Sequence, residues 1–301
     1  MAAANQVEVD GHLLQLSNLD KPLYPSGFTK AEVIDYYARV APAMLTHLRG
    51  RPLTLKRYPN GTTAPFFYEK NCPRHRPEWV RVVDVPRRDD SSETIGYCVA
   101  DEVATVVWLA NLAAIELHPL LARAEDVGCP TVMVFDLDPG PPAGMAECAA
   151  VACEIRTTLA AWGLDSYPKT SGSKGIQLYV PINAPTSYEV TKPLAHRVAA
   201  QLAKAHPERV VERMDKALRQ GKVLIDWSQN HPTKTTVCAY SLRALDEPRV
   251  STPLTWPEVE DQAGGHQPPL AFRPAEVLAR LDAQGDLFAP VAEQRQALPE
   301  M

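Results

Sequence analysis

The stretch that decides the fold is TVMVFDLDPG, residues 131–140. Its first five residues are β-branched or apolar and too few for a helix, which predicts a buried strand. This strand delivers Asp136 and Asp138 and stops at a turn-forming Pro-Gly pair. Because side chains alternate along a strand, the two carboxylates point to one face, roughly 7 Å apart. Such a pair can bind one or two divalent cations from one side.

A third carboxylate, Asp226, lies on a separate apolar strand predicted over 223–227. Crowded carboxylates repel one another and need cations to stay ionised. Two Mg²⁺ or Mn²⁺ ions roughly 3.5–4 Å apart would then hold a phosphoryl group during its transfer. Taken alone, Asp-x-Asp-Pro-Gly is also typical of an ordinary strand-end turn. An EF-hand is excluded, because its sixth position needs glycine and holds Pro141.

Around these strands, helical and strand patterns alternate along the chain. A Thr29–Glu32 capping box begins the first helix. Further helices are predicted over 101–118, 145–162, 188–206, 209–219 and 274–284. Strand and turn are predicted over 1–25, and further strands over 176–180 and 235–241. This order predicts an α+β (mixed α/β) fold with one central sheet flanked by helices. We expect a single catalytic domain over 1–301, in one lobe or two.

The composition is that of an ordinary globular protein. Of the 301 residues 45% are hydrophobic and 22% charged, and the net charge is −5. The acidic balance does not exclude a nucleic-acid ligand, because phosphate contacts depend on local basic faces. No signal peptide or membrane span is evident, so we expect a cytoplasmic protein without a membrane partner. The six scattered cysteines form no Cys-x-x-Cys pair and are predicted to be reduced thiols.

Two further features suit phosphate groups. The loop 170–175 (TSGSKG) offers backbone N–H groups, hydroxyls and one lysine, although it lacks P-loop spacing and is also typical of a plain turn. Arg213, Lys216 and Arg219 lie three apart and would share one face of a helix over 209–219. With the basic segment 49–80 around Phe67 and Tyr68, they suit a charged groove beside stacked bases. Each charge run alone is more typical of a solvated surface.

The segments 136–140, 170–175 and 226–230, in this order, resemble the archaeo-eukaryotic primase superfamily. Within it, nearly the whole chain is similar to the polymerase domain of bacterial end-joining DNA ligase D and its stand-alone Prim-PolC-type relatives. The resemblance implies a primase-polymerase fold whose sheet carries the acidic triad. It also implies that Asp136, Asp138 and Asp226 are the catalytic metal ligands and that two Mn²⁺ or Mg²⁺ ions are the cofactors.

The resemblance also assigns roles to individual positions. Those matching nucleotide contacts are Lys56, His118, Ser171, Ser173, Lys174, Gln229 and Arg243. Phe67 and Tyr68 match a base-stacking pair, and Arg219 matches a DNA contact. Lys21 and Lys30 match a pocket for a DNA 5′-phosphate, which the free N–H groups and dipole of the Thr29-capped helix would also favour. Gln177 stands where the family commonly has histidine.

The implied function is template-dependent extension of a DNA or RNA primer, filling short gaps in DNA repair and preferring ribonucleotides. The implied partners are gapped or end-recessed DNA with a 5′-phosphate, nucleoside triphosphates, a separate ATP-dependent DNA ligase and Ku, and a monomer is expected. The alternative is a polymerase domain excised from a ligase D that acts on double-strand breaks. Two rivals stay open: a two-metal nuclease or phosphatase with water as nucleophile, and a non-catalytic DNA-end-binding module.

Overall fold

The computed structural model of the chain describes residues 5–87, 93–265 and 267–299. Its strands are β1 (Asn5–Val9), β2 (His12–Leu16), β3 (Pro52–Arg57), β4 (Phe67–Glu69), β5 (Val82–Pro86), β6 (Thr94–Val99), β7 (Ala114–Pro119), β8 (Ala122–Arg123), β9 (Asp126–Pro130), β10 (Val132–Pro139), β11 (Tyr167–Thr170), β12 (Ile176–Pro181), β13 (Val210–Val211), β14 (Val223–Asp226), β15 (Leu242–Arg243) and β16 (Arg249–Val250). Its α-helices are α1 (Lys30–Leu48), α2 (Val103–Asn111), α3 (Met145–Ala160), α4 (Tyr188–Ala205), α5 (Trp256–Ala263), α6 (Pro274–Gln284) and α7 (Ala289–Glu293). The mixed α/β class is confirmed. No helix in these ranges is long and apolar enough to cross a membrane.

The described chain forms two compact units. Unit 1 is built from the described residues up to Leu120 together with 235–250 and 273–285. Unit 2 is built from Leu121–Lys234, Ser251–Phe272 and the described residues from Asp286 onward. Each unit has its own five-stranded sheet, where we expected one central sheet. The assignment of 1–301 to one catalytic domain stays a prediction.

In unit 1, strand β3 is the centre of the sheet. The strand order is β4-β3-β6-β5, and β7 also pairs with β3. Helix α1 begins as predicted, since the Thr29 hydroxyl accepts from the Glu32 backbone N–H at 3.3 Å and the Glu32 carboxylate accepts from the Thr29 N–H at 2.7 Å. Its apolar positions, such as Tyr37 and Met44, are fully buried, and Pro42 lies inside the helix without ending it.

In unit 2, the sheet runs β11-β12-β10-β14-β13 and is antiparallel except for the β13–β14 pair. One face is apolar: Phe135, Leu178 and Ile225 join buried residues of α3 and α4 in a common core. The alternate residues of the same strands, Asp136 and Gln177 among them, therefore lie on the opposite face. A sheet that carries the acidic residues on one face and packs helices on the other is confirmed.

The helix predicted over 101–118 is wrong in its second half. Helix α2 ends at Asn111, and Ala113 adopts a positive φ of 55°. That left-handed conformation usually needs glycine, so the sequence carries no stop signal for the helix. The chain then continues as β7, which places Glu116 and His118 on a strand, two residues apart and on one face.

Two other predicted elements do not form. The helix over 209–219 is wrong, because Val210–Val211 pair with β14 as an edge strand and only a 3₁₀ turn, Lys216–Leu218, follows. A helix this short is not stable by itself, so the three basic residues share no helical face. The strand over 235–241 is also wrong. It makes one isolated bridge, Leu120 with Thr235, before the chain turns at Tyr240 with φ 69°.

The prediction of reduced cysteines is wrong for one pair. Cys72 and Cys98 form a disulfide with their Cα atoms 4.9 Å apart. The Cys72 N–H donates to the Gly96 carbonyl, which brings the segment after β4 alongside β6. This pairing depends on sheet register, which spacing in the sequence does not reveal. The described free thiols are Cys129, Cys148, Cys153 and Cys238.

Candidate functional site

The acidic residues of unit 2 lie together because of strand register. Asp136 on β10 is directly opposite Asp226 on β14. Directly opposite residues of an antiparallel pair have Cβ atoms roughly 4.5–5.5 Å apart. Asp138 lies two residues further along β10 and so projects from the same face. The three carboxylates therefore converge at the end of two adjacent strands, as the sequence predicted for Asp136 and Asp138.

The carboxylates carry more negative charge than their surroundings offset. Burial, and then the charges of Asp138 and Asp226, raise the pKa of Asp136 well above its ordinary value. A hydrogen bond from Gln177 and the charge of Lys169 act in the opposite direction without cancelling the rise. Hard carboxylate oxygens are the ligands that Mg²⁺ and Mn²⁺ prefer. The donor set and its charge therefore fit divalent cations.

Asp226 is held by the turn that follows it. Its Oδ1 accepts from the Ser228 N–H at 2.9 Å and from the Ser228 hydroxyl at 2.6 Å, and its Oδ2 accepts from Gln229 Nε2 at 2.7 Å. Lys234 Nζ donates to the Ser228 hydroxyl at 2.6 Å and extends this network. Across the described residues, no three acidic, histidine or cysteine side chains form a ready metal site. Cation binding by Asp226 would use its remaining lone pairs or a rotation of its carboxylate.

Asn230 anchors this turn, a role that the sequence analysis did not assign. Its side chain is fully buried, accepts from the Val134 N–H at 2.9 Å and donates to the Val134 carbonyl at 2.7 Å. It also donates to the Trp227 carbonyl at 2.9 Å. The amide thus fastens the turn after Asp226 to β10, two residues before Asp136. An asparagine four residues after a strand carboxylate was the only signal, and it is a weak one.

The loop after β11 is closed by its own serine. The Ser171 hydroxyl accepts from the Ser173 and Gly175 N–H groups at 3.2 Å each, and Ser171 N donates to the Gly175 carbonyl at 2.8 Å. The N–H groups of Ser171, Ser173 and Gly175 are therefore occupied within the loop, and the binding of a triphosphate here stays a prediction. Lys174 is exposed and Ser173 half-buried. Gly175 lies against β10, where an added Cβ would come 1.9 Å from the Leu137 carbonyl oxygen.

In unit 1, three predicted nucleotide contacts surround one buried carboxylate, Glu116, which the sequence analysis missed. Glu116 Oε1 lies 3.5 Å from Lys56 Nζ and 3.5 Å from Arg243 Nε, and Oε2 lies 2.9 Å from His118 Nε2. Glu116 also accepts from the Ala244 N–H at 3.1 Å. Lys56, His118 and Arg243 are therefore brought together, with a carboxylate between them.

The charges in this cluster set its protonation. Burial raises the pKa of Glu116, but the His118 hydrogen bond and the positive charges of Arg243 and Lys56 outweigh it and bring the pKa to about 2. Burial lowers the pKa of His118 below 6.5, against the influence of Glu116. At neutral pH the cluster therefore holds an ionised carboxylate, a neutral imidazole and two cations.

The aromatic pair Phe67 and Tyr68 is exposed, by 43% and 61%. The two are successive residues of β4, so their rings lie on opposite faces of the strand. Tyr68 lies on the Lys56 side, where Lys56 Nζ is 4.3 Å from the ring centroid of Phe66, and Phe67 lies 5.1 Å from the Arg57 guanidinium. Phe66, which makes a T-shaped contact with Tyr68, belongs to the same exposed surface.

The start of α1 is not an open anion site. The Lys30 N–H donates to the Lys21 carbonyl at 2.8 Å, and the next N–H donates to Leu19 at 2.9 Å, so the expectation of free N–H groups there is wrong. Lys30 is buried, and its Nζ donates to the Ser17 carbonyl at 2.7 Å. Burial, and then the charges of Lys21 and Arg57, lower the pKa of Lys30 to about 8. Lys21, Lys30 and Arg57 nevertheless place three positive charges close together, and a phosphate pocket here stays a prediction.

Arg219, the predicted DNA contact, lies in unit 2 beside the end of β10. Its Nη2 donates to the Met214 carbonyl at 2.6 Å. Gly140 packs so closely against this segment that an added Cβ would come 1.9 Å from the Arg219 carbonyl oxygen. Glycine is therefore required at the turn after Asp138 because two backbone segments meet there.

Comparison with known proteins agrees with this architecture. A family model described as LigD, primase-polymerase domain, matches residues 29–288. The multifunctional non-homologous end joining protein LigD of Mycolicibacterium smegmatis is 43% identical over 281 residues, covering 92% of this chain and 36% of that protein. The bifunctional non-homologous end joining protein LigD of Bacillus subtilis is 33% identical over 278 residues, covering 91% of this chain and 43% of that protein.

A solved structure is also similar. The polymerase domain from Mycobacterium tuberculosis ligase D, in complex with DNA, superposes with a TM-score of 0.86 at 40% identity, covering 94% of this chain and 99% of that one. The chain thus spans less than half the length of these curated relatives but nearly all of that solved domain. The chain belongs to the LigD primase-polymerase domain family.

Proposed function

We propose that this chain is a nucleotidyltransferase that extends a primer on a DNA template and fills short gaps during DNA repair. The observation that carries the proposal is the register of the unit 2 sheet, which sets Asp136 opposite Asp226 and Asp138 on the same face. Carboxylates gathered at the end of two strands, with more negative charge than their surroundings offset, suit two-metal phosphoryl transfer.

In this proposal Asp136, Asp138 and Asp226 hold two Mn²⁺ or Mg²⁺ ions. When bound, such ions make the attacking hydroxyl more acidic and offset charge on the leaving group. The primer 3′-hydroxyl attacks the α-phosphorus of a nucleoside triphosphate, the bond to the β-phosphate breaks, and pyrophosphate leaves. Gln229 and Ser228 keep the Asp226 carboxylate in place through the hydrogen bonds described above.

Each unit carries residues that are proposed to contact the nucleotide. In unit 2, the exposed Lys174 next to the closed Ser171 loop supplies a positive charge for the phosphates. In unit 1, Lys56, His118 and Arg243 supply two charges and one imidazole around Glu116. We further propose a preference for ribonucleotides, which rests on the family and on no contact derived above.

The experiment is extension of a labelled primer across a short gap in the presence of Mn²⁺, with all eight nucleotides compared. The proposal expects templated addition and a higher kcat/KM for a ribonucleotide than for its matched deoxynucleotide. A primer that shortens would instead indicate a nuclease, the rival that uses the same triad. A primer that binds but never changes length would indicate a DNA-end-binding module.

A second part of the proposal concerns DNA ends. Burial, and then the neighbouring charges of Lys21 and Arg57, lower the pKa of Lys30, so a dianionic terminal phosphate would relieve the repulsion among these three cations. Gapped DNA with a 5′-phosphate is therefore the proposed substrate, and the solved relative noted above is itself in complex with DNA. A DNA ligase and Ku are the proposed partners, by analogy with relatives named for non-homologous end joining. Action apart from a ligase chain stays a prediction.

A further inference from the structure

Unit 2 contains a fully buried lysine that the mechanism above does not use. Lys169 on β11 has no exposed surface. Its ammonium donates to Gln177 Oε1 at 2.5 Å and to the Ser251 hydroxyl at 2.6 Å, and it lies 5.4 Å from the ring centroid of Tyr179. Lysine is almost never buried in this way, because removing an ammonium from water is costly. We therefore expect the buried charge of Lys169 to have a function.

Strand register connects Lys169 to the acidic residues. Lys169 pairs with Gln177, Gln177 pairs with Asp136, and Asp136 pairs with Asp226. The four side chains therefore form one row on one face, across four adjacent strands. Two strand spacings, roughly 10 Å, separate the backbone of Lys169 from that of Asp136.

Hydrogen bonds along the row are donated from Lys169 toward Asp136. An ammonium only donates hydrogen bonds, so Lys169 engages the oxygen of the Gln177 amide. The amide nitrogen is then left to donate to a carboxylate that only accepts, and Gln177 does hydrogen-bond Asp136. Lys169 thus fixes which way the amide faces, and the amide fixes the Asp136 carboxylate.

We propose that Lys169 is an internal cation of the acidic cluster, which consists of Asp136, Asp138 and Asp226. Through Gln177 it positions Asp136, and its charge offsets part of the cluster's negative charge before any metal binds. This inference rests on the proposed function, because it treats Asp136 as a metal ligand. It is a positioning role: Lys169 acts through Gln177 and does not touch the reacting atoms.

The charge of Lys169 and its hydrogen bond have opposite consequences, so losing both should strengthen metal binding and lower kcat. Without its charge the cluster attracts a divalent cation more strongly, by on the order of 10-fold in Kd at this distance. Without its hydrogen bond Asp136 is less well positioned, so kcat falls. A defect that merely damages the site would instead weaken metal binding and lower kcat together. The direction of the change in Kd therefore separates positioning from damage.

The test is binding of Mn²⁺ alone to the whole chain at pH 8, measured by the electron paramagnetic resonance signal of free Mn²⁺, together with kcat for primer extension. Lys169→Met removes both the charge and the donor, whereas Lys169→Gln removes the charge and keeps a donor. Lys204→Met is the matched control, since Lys204 is an exposed lysine of α4 in the same unit.

We expect both Lys169 variants to bind Mn²⁺ about 10-fold more tightly than wild type, and Lys204→Met to bind it as wild type does. We expect kcat to fall more for Lys169→Met than for Lys169→Gln. Unchanged or weaker Mn²⁺ binding in the Lys169 variants, or equal tightening in Lys204→Met, overturns the inference. If Asp136→Asn binds Mn²⁺ as tightly as wild type does, the proposed function is contradicted, independently of the role of Lys169.

Discussion

Replacing Glu116 by glutamine tests the electrostatics of unit 1. The change keeps the shape of the side chain and removes the charge that Lys56, His118 and Arg243 surround. A carboxyl whose pKa is 4.5 when unfolded and about 2 when folded contributes about 3 kcal/mol to the free energy of unfolding at pH 7. Breaking a buried ion pair by removing one partner costs a similar amount, roughly 3–5 kcal/mol. We therefore expect Glu116→Gln to lower the free energy of unfolding by about 3 kcal/mol.

The pH dependence has a definite sign. The folded pKa of Glu116 lies below the unfolded value, so its contribution is fully present above about pH 4.5 and is lost as pH falls through about 2. Urea unfolding of both proteins between pH 7 and pH 3 should show the difference narrowing as pH falls. Glu93→Gln is the control, because the Glu93–Arg87 pair is exposed and worth at most about 1 kcal/mol. A difference in unfolding free energy that stays constant between pH 7 and pH 3, or a loss no larger than that of Glu93→Gln, would show that the charge of Glu116 does not stabilise the fold.

Three further predictions concern other parts of the site. Gly175→Ala should reduce extension at least about 10-fold while the protein stays folded, because its Cβ would displace the Leu137 carbonyl between the two β10 carboxylates. Unaltered kcat would contradict this. Gly144→Ala is the control, because it also replaces a glycine at negative φ and its Cβ would meet no atom nearer than 3.8 Å. Asn230→Ala should lower the free energy of unfolding in urea by about 2–4 kcal/mol, since it leaves a buried backbone N–H and C=O of β10 unpaired. A loss below about 1 kcal/mol would contradict this anchoring role. The preference in affinity for a 5′-phosphorylated gap over an unphosphorylated one should decline as pH rises through about 8, where Lys30 loses its proton. The same preference should vanish in the Lys21→Ala/Lys30→Ala double variant. A preference that does not change up to pH 9.5 would show that Lys30 does not bind the phosphate.

The parts of the fold that the sequence predicted are the parts that local interactions determine. Helix α1 follows from a capping box and a helical period, both visible within a few turns. The position of Asp136 and Asp138 on one face follows from strand alternation alone. The resemblance to a known family then assigned roles that no local pattern carries. Those roles stay predictions residue by residue.

The predictions that were wrong concern features that depend on partners distant in sequence or on an unusual backbone conformation. Ala113 turns the chain with a left-handed conformation that alanine rarely adopts, so the strand carrying Glu116 and His118 was predicted as helix. The Cys72–Cys98 bond depends on which strands become neighbours. The same is true of Lys169, which reads as an ordinary charged residue until register places it beside Gln177. Long-range register is the information that one sequence lacks.

The proposed function requires that Asp136, Asp138 and Asp226 bind the metal ions of a primer-extending enzyme. The most direct measurement is primer extension with Mn²⁺ by Asp136→Asn, Asp138→Asn and Asp226→Asn, alongside Mn²⁺ titration and binding to the same gapped DNA. Asparagine keeps the size of each side chain and removes the charge that attracts a cation. We expect each variant to lose extension and to bind Mn²⁺ more weakly, while its affinity for DNA stays close to that of wild type. Wild-type extension by any of the three would contradict it.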